Sequence, residues 1–352
     1  MSRSRVVGLD VGTSAVRAAE VEFSGGGPGR GHATLARFAQ VPLPPGSVQD
    51  AEVSQPETVA TALKQLWRDG GFGSRDVILG IGSQRVVVRD LELPFGPMTQ
   101  LRASLPYQVQ ELLPMPVEEA LLDYYPVASF DGPTGKTVRG LLVAASKDIV
   151  RMNVMAAESA GLRPQMVDLN AFALLRALAR DELREQVVAL VDVGARVTTV
   201  VIAAKGVPRF TRVVPSGGQD VTDAVAGHMK VSAAEAELLK REIGVGFAVS
   251  PDKAAGAAAV AEVTRALVEA VRNTLVYYAS NNPGAQVDQV LLSGGGAHLP
   301  GLGQYLATAS RQPTSFGDPL RNMRVSSSAQ SKLPGHNSVI AVAVGLTYGV
   351  AE

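Results

Sequence analysis

The chain has no cysteine, one tryptophan, only 5% aromatic residues and no excess of either charge, since 33 lysines and arginines face 33 aspartates and glutamates. Each absence excludes something. Without cysteine there are no disulfides, thiolate nucleophiles, iron–sulfur clusters or cysteine zinc sites. A balanced charge leaves no general electrostatic footprint for nucleic acid, so DNA and RNA are not expected partners. The histidines, His32, His228, His298 and His336, fall in no metal-ligand spacing, and neither HExxH nor a Gly-x-Ser-x-Gly elbow occurs. The longest uncharged apolar stretch, Ser338 to Ala351, contains two glycines and falls short of the ~20 residues that span a bilayer. Met1 to Arg5 is polar and carries no leader-like core. These features lead us to expect a soluble cytoplasmic protein, and 352 residues at ~150 per domain suggest two domains.

Short valine-rich runs alternate with longer helical stretches, the signature of an α/β chain. Strands are expected at Val6–Leu9, Ala15–Phe23, Val77–Ile81, Arg85–Leu91, Leu141–Ala145, Val187–Val193, Val197–Ala203 and Val287–Leu292. Helical spacing marks Glu57–Trp67, Leu101–Leu113, Lys147–Ala160, Ala171–Arg184, Gly218–Met229, Ala233–Ile243 and Glu262–Ala279. A glycine-rich link, Ser24 to Gly31, and a proline turn, Pro42 to Gly46, separate early elements. Gly132 to Thr137 (GPTGKT) imitates a Walker loop, but Phe130 stands where its first glycine belongs, so it reads as a turn between strands.

The most informative feature is an internal echo. VVGLDVGTSAVRAAEV (Val6 to Val21) and VVALVDVGARVTTVVI (Val187 to Ile202) each run an apolar strand into Asp-Val-Gly, a polar turn and a second apolar strand. Asp10 and Asp192 therefore lie about half the chain apart, which suggests duplicated domains with a site between them. Glycine turns let backbone N–H groups approach an anion, so Gly12 and Gly194 are candidate phosphate-cradle positions. Thr13 and Ser14 add hydroxyls on the first turn, and Thr198 and Thr199 near the second. Arg17 is placed to meet a phosphate. The two aspartates have two candidate roles, holding Mg²⁺ through its water shell or orienting an attacking water. A third signal is VLLSGGGAHLPGL (Val290 to Leu302), whose Gly294, Gly295 and Gly296 leave room for a base and ribose. A fourth is AELLKREIG (Ala236 to Gly244), where Glu237 and Lys240 share a helix face.

In order, these pieces resemble the actin/Hsp70/sugar-kinase superfamily. The resemblance implies an actin-like (ribonuclease H-like) α/β fold, duplicated domains around a nucleotide cleft, and ATP or ADP with Mg²⁺ as cofactors. DVGTSAVR and DVGARVTT look like its phosphate loops, LLSGGGAHLPGL its adenosine motif, and AVAVGLTYG (Ala341 to Gly349) its closing helix. AELLKREIG is similar to the helix whose Glu and Lys reach ribose and base. LELPFGPMTQLRASLPYQVQELLPMPVEEALLDYYPV (Leu91 to Val127) and VDLNAFALLRAL (Val167 to Leu178) resemble the PilM family of type IV pilus assembly proteins. That likeness implies an FtsA-type inserted subdomain, drawn here at residues 31–161. The first domain core would then be 1–30, 162–185 and 335–352, and the second domain 186–334.

It also implies an adaptor on the cytoplasmic face of the inner membrane, peripheral to it. Such an adaptor grips the N-terminal cytoplasmic tail of a PilN-like membrane protein between the first domain and the insertion. Pilus motor ATPases and a second copy of the chain are further partners the family suggests. The sequence departs from the superfamily in three places: Arg17 for a lysine, Ala195 and Arg196 for loop glycines, and Asn170 where actin has glutamine. An amide orients water but is no base, so nucleotide binding with weak or no hydrolysis is expected. An FtsA-like division filament protein, expected to carry a C-terminal membrane helix absent before Glu352, and a small-molecule kinase of the same fold are the alternatives.

Overall fold

Valine- and alanine-rich runs too short for helices pair, in the computed structural model, into two sheets built to one plan. The structure describes residues 3–25, 27–28, 31–133 and 135–349. Parts of the Ser24–Gly31 link, Thr134 of the GPTGKT turn and the last residues of the Ser338–Ala351 stretch lie outside them. The chain opens with β1 (Arg3–Val11), β2 (Ala15–Ser24), β3 (His32–Pro42), the small pair β4 (Val48–Gln49) and β5 (Glu52–Val53), α1 (Pro56–Gly70) and β6 (Asp76–Ile81). There follow β7 (Val86–Pro94), α2 (Met98–Gln108), β8 (Ala120–Gly132), β9 (Gly135–Ser146), α3 (Lys147–Ser159), β10 (Arg163–Leu169) and α4 (Asn170–Leu178). The second half holds β11 (Val187–Val193), β12 (Thr198–Ala204), β13 (Val207–Val214), α5 (Gly218–Met229), α6 (Ala233–Ile243), α7 (Ala254–Asn281), β14 (Gln289–Ser293) and α8 (Leu302–Ser310). It ends with β15 (Thr314–Phe316), β16 (Arg324–Val325), α9 (Ser327–Gln330) and α10 (Ala341–Leu346).

The first sheet has the order β10-β6-β1-β2-β3-β16 and the second β13-β12-β11-β14-β15. In each, three strands run antiparallel as a meander, and a parallel strand, β6 or β14, lies beside the first of them. The echo at Asp10 and Asp192 thus extends to whole sheets. Pairing sets Asp10 opposite Arg17 and Gly80, and Asp192 opposite Thr199 and Ser293. Both carboxylates stand at the carboxyl ends of their strands, where open α/β sheets bind ligands.

A separate sheet, β7-β9-β8, carries α2 against it and has its own core of Leu93, Leu101, Leu105, Val109, Tyr124, Val138 and Leu142. Sheet membership cuts across the segments drawn from sequence. Residues 32–42 and 76–81, placed there in the insertion, are β3 and β6 of the first sheet, so the separate sheet occupies only 86–146. Residues 324–325, assigned to the second domain, pair with β3 in the first sheet. Strand β3 escaped the sequence reading because Arg37 and Gln40 interrupt its alternation and a bulge at Glu20/Val21 shifts its register. The expected strands Val77–Ile81 and Arg85–Leu91 fall in different sheets, as β6 and β7. The helix expected over Ala171–Arg184 ends at Leu178, since Asp181 is left-handed (φ 53°) and residues 181–185 form a 3₁₀ turn.

Helix α4 lies at the centre. One apolar cluster around it joins Ile78 and Ile81 of the first sheet, Leu190 and Val201 of the second, and Leu141 and Ala145 of the inserted sheet. Helix α10 crosses α4 at Gly345, where a Cβ would sit 1.9 Å from the Ala173 carbonyl oxygen. Among the described residues no helix is long and apolar enough to cross a membrane.

Candidate functional site

The two sheets face each other across a cleft of about 560 Å³ lined by the candidate site residues, Thr198 excepted. Its lining includes Asp10, Gly12, Thr13, Ser14 and Arg17 from the first hairpin, and Asp192, Gly194 and Ala195 from the second. Asn170 comes from α4, Glu237 and Lys240 from α6, and Gly294, Gly295 and Gly296 from the turn after β14. Thr199 lines the cleft as well. Thr198 does not, being buried with its hydroxyl donating to the Ser216 carbonyl at 2.8 Å.

Each turn is shaped by its own backbone. Gly12 N–H bonds to Ala15 O at 3.0 Å and Gly194 N–H to Val197 O at 2.9 Å, so both turns close the same way. Gly294 is left-handed (φ 82°), and a Cβ there would meet Val193 O at 2.4 Å, so the glycine turn presses against the second hairpin. Asp10 is buried, which raises its pKa; the charge of Arg17 and its hydrogen bond, Nη1 to Oδ2 at 3.4 Å, act the other way. Arg17 is itself oriented by Gln40, Nε to Oε1 at 2.9 Å. Burial pushes Asp192 up to about 6; Ser293 opposes the rise, the Asp10 charge adds to it, and Arg17 opposes it. The Ser293 hydroxyl also donates to the Ser338 carbonyl at 2.8 Å. Asp10, buried, and Asp192, half-buried, therefore stand near one another with one arginine beside them, an arrangement that favours a cation. Among the described residues no group of three or more acidic or histidine side chains forms a metal cage.

Asn170 packs against Gly80 and Gly82, and its Oδ1 is buried without a hydrogen-bond partner. That amide oxygen lies against Gly80, and leaving it unpaired there is a costly arrangement. At the far wall Glu237 and Lys240 are joined, Nζ to Oε2 at 2.5 Å. Lys240 also donates to Gly218 O at 3.1 Å and Thr222 Oγ1 at 2.9 Å, which uses its three protons. Glu237 accepts from Thr222 at 2.6 Å and Arg241 at 2.9 Å. Burial raises its pKa, but hydrogen bonds from Lys240 and Thr222 outweigh that and hold it below the usual range.

The sequence reading missed Gly218, Thr222 and Arg241, all of which line the cleft. A signal was present: Gly217 caps a helix that opens at Gly218 with Asp220 at its third position, and Asp220 Oδ2 accepts the Gly217 N–H at 2.7 Å. A second opening, of about 310 Å³, lies between the inserted sheet and the first. Leu121, Tyr125, Val143, Met166 and Phe172 line it, with Ile81 shared between it and the cleft. Its two walls, β8 and β10, are edge strands of their sheets.

A family described as type IV pilus assembly protein PilM matches residues 8–349. The chain belongs to that family. Its structure is similar to that of a PilM–PilN type IV pilus biogenesis complex, with a TM-score of 0.84, 25% identity and full coverage of both chains. The cell division protein FtsA of Bacillus subtilis is 26% identical over 263 residues, 68% of this chain and 58% of that protein. Spiroplasma citri MreB5, solved with AMPPNP bound, shares the fold at a TM-score of 0.53 and 13% identity, over 99% of this chain and 96% of that one. The fold is therefore actin-like, as the resemblance implied.

Proposed function

We propose that this PilM-family chain is a nucleotide-binding adaptor of the type IV pilus inner-membrane platform, holding the N-terminal tail of a PilN-like membrane protein. The observation that carries the reading is the groove between β8 and β10, where apolar side chains lie beside the charged Arg102, Asp123, Asp168 and Arg176. Both walls are sheet edges, with backbone groups open to an extended segment, and apolar side chains lie between them. The likeness to a PilM–PilN complex supports that choice of partner. Among the described residues no helix crosses a membrane, so attachment to the inner membrane is assigned to that partner.

In the cleft, Gly12, Thr13, Ser14 and Arg17 would face the phosphates from one side, and Gly194 and Ala195 from the other. Asp10 and Asp192 would hold Mg²⁺ through its water shell, and Asn170 would bond one of those waters or the attacking one. Bound Mg²⁺ would neutralise phosphate charge and hold the phosphate chain in register. The neighbouring carboxylates of Asp10 and Asp192, with Arg17 beside them, fit such an occupant. No side chain described in the cleft is a general base at neutral pH beyond the carboxylates, so turnover is expected to be slow.

The test is titration of the full chain, with Mg-ATP present, with a synthetic PilN-like N-terminal tail. Stoichiometric binding is expected, weakened at least tenfold by Leu121→Arg or Met166→Arg. Both side chains are substantially exposed, at 45% and 39%, so these changes leave the core intact. No binding of such a tail would overturn the adaptor reading. The relationship to FtsA keeps a filament-forming reading in view, and sedimentation with nucleotide, pelleting without a tail partner, would favour it.

A further inference from the structure

The second phosphate-facing turn lacks the glycines that shape its superfamily counterparts, and a different device holds it. Its carbonyls are turned toward α5: Gly194 O accepts from Gly218 N–H at 2.9 Å and Ala195 O from Gln219 N–H at 2.7 Å. Those are first-turn donors that a helix otherwise leaves open. Arg196 adds a charged clasp. Its Nη1 meets Asp220 Oδ1 at 2.7 Å and its Nη2 meets Asp223 Oδ2 at 2.5 Å, both acidic groups standing on α5. A planar guanidinium can engage two carboxylates at once; a lysine ammonium is a poorer match to that geometry. Arg196 is not itself among the residues lining the cleft.

Helix α5 reaches from that turn to the other end of the cleft. The Gly218 carbonyl and the Thr222 hydroxyl receive the Lys240 ammonium, and the Thr222 hydroxyl donates to Glu237 at 2.6 Å. The near end also touches the glycine turn, since a Cβ on Gly218 would lie 3.1 Å from the Gly296 Cα. A change in how α5 sits on the second turn would therefore move Glu237 and Lys240 together. We infer that Arg196 is a positioning residue for nucleotide binding, clasping α5 to the second turn and so setting where Glu237 and Lys240 stand. This rests on the nucleotide reading of the cleft given above.

A simpler electrostatic role makes the opposite prediction at one position. If Arg196 served only to offset negative charge near the phosphates, Asp223→Asn would tighten nucleotide binding. As half of a clasp, Asp223 must be kept, and the same change must weaken it. The experiment is calorimetric titration of the full chain with Mg-ADP and Mg-ATP. Arg196→Ala is expected to weaken both about tenfold, Asp223→Asn severalfold in the same direction, and Arg196→Lys to an intermediate degree. In a Glu237→Gln background, Arg196→Ala should cost clearly less than in the wild type, because the group it positions is already altered. Asp220 keeps the Gly217 N–H bond in every variant, so the start of α5 retains its cap; should Arg196→Ala not fold, Asp223→Asn and Arg196→Lys decide. Tighter or unchanged binding by Asp223→Asn, or full additivity with Glu237→Gln, overturns the inference. A wild-type chain that binds neither nucleotide overturns the reading of the cleft itself and this inference with it.

Discussion

Asp192 has a cost and a use that pull against each other. Burial lifts its pKa from 3.8 to about 6, so between about pH 4 and 6 the folded chain holds a proton that the unfolded chain has lost. Stability contributed by this group therefore falls as pH rises through that window, and the loss is complete above it. On the proposed reading of the cleft, a bound Mg-nucleotide would need the ionised form and would behave the other way. We expect Mg-dependent nucleotide affinity to decline as pH drops below about 6, and Asp192→Asn to raise the ligand-free unfolding midpoint at pH 7.5 while removing the Mg²⁺ dependence. Thermal scans with and without Mg-ADP across pH 5 to 8 would check both. Asp10 is the simpler case: Asp10→Ala should abolish Mg-nucleotide binding with the circular dichroism spectrum unchanged, and unaltered affinity would mean the first hairpin has another role.

At the scale of elements, α4 and α10 determine how the sheets meet. Their crossing depends on Gly345, whose Cα lies against the Ala173 carbonyl, and on Arg176, which bonds Gly345 O at 3.2 Å and forms an ion pair with Asp168. Gly345→Ala forces the two backbones apart and should destabilise the chain by about 1–3 kcal/mol, the usual range for overpacking a close contact. Urea unfolding would measure it, and a neutral result would show that the crossing has slack. The edge strands β8 and β10 carry the other consequence. Unpaired edges invite pairing with other chains, and here part of each edge strand lines one groove.

For the whole molecule, the balance of 33 basic and 33 acidic residues offers no general attraction to anionic lipid. The chain is therefore expected to stay in the supernatant with anionic vesicles and to pellet with vesicles displaying a PilN-like tail. Pelleting with bare vesicles would contradict attachment through a partner. A ligand that binds only the folded chain adds about 2.7 kcal/mol at a hundredfold excess over Kd, so saturating Mg-ADP should raise the unfolding midpoint measurably.

Much of the cleft was legible in the linear order, because strand-end aspartates, glycine turns and the helical Glu237/Lys240 pair depend on local spacing. The duplicated hairpins and the boundaries of Val187–Val193, Gly218–Met229 and Ala233–Ile243 follow from periodicity and turn chemistry, which act within a few residues. What needed the tertiary structure was whatever depends on partners far along the chain. β3 is a strand because β2 and β16 pair with it, not because of its own alternation. The inserted sheet is smaller than the sequence suggested because β6 bonds to β1 and β7 does not. The clasp of Arg196 on Asp220 and Asp223, and the groove between β8 and β10, exist only where separate segments are packed together. Local chemistry determined the parts of the cleft, and long-range pairing and burial decided how those parts are held and what lies beside them.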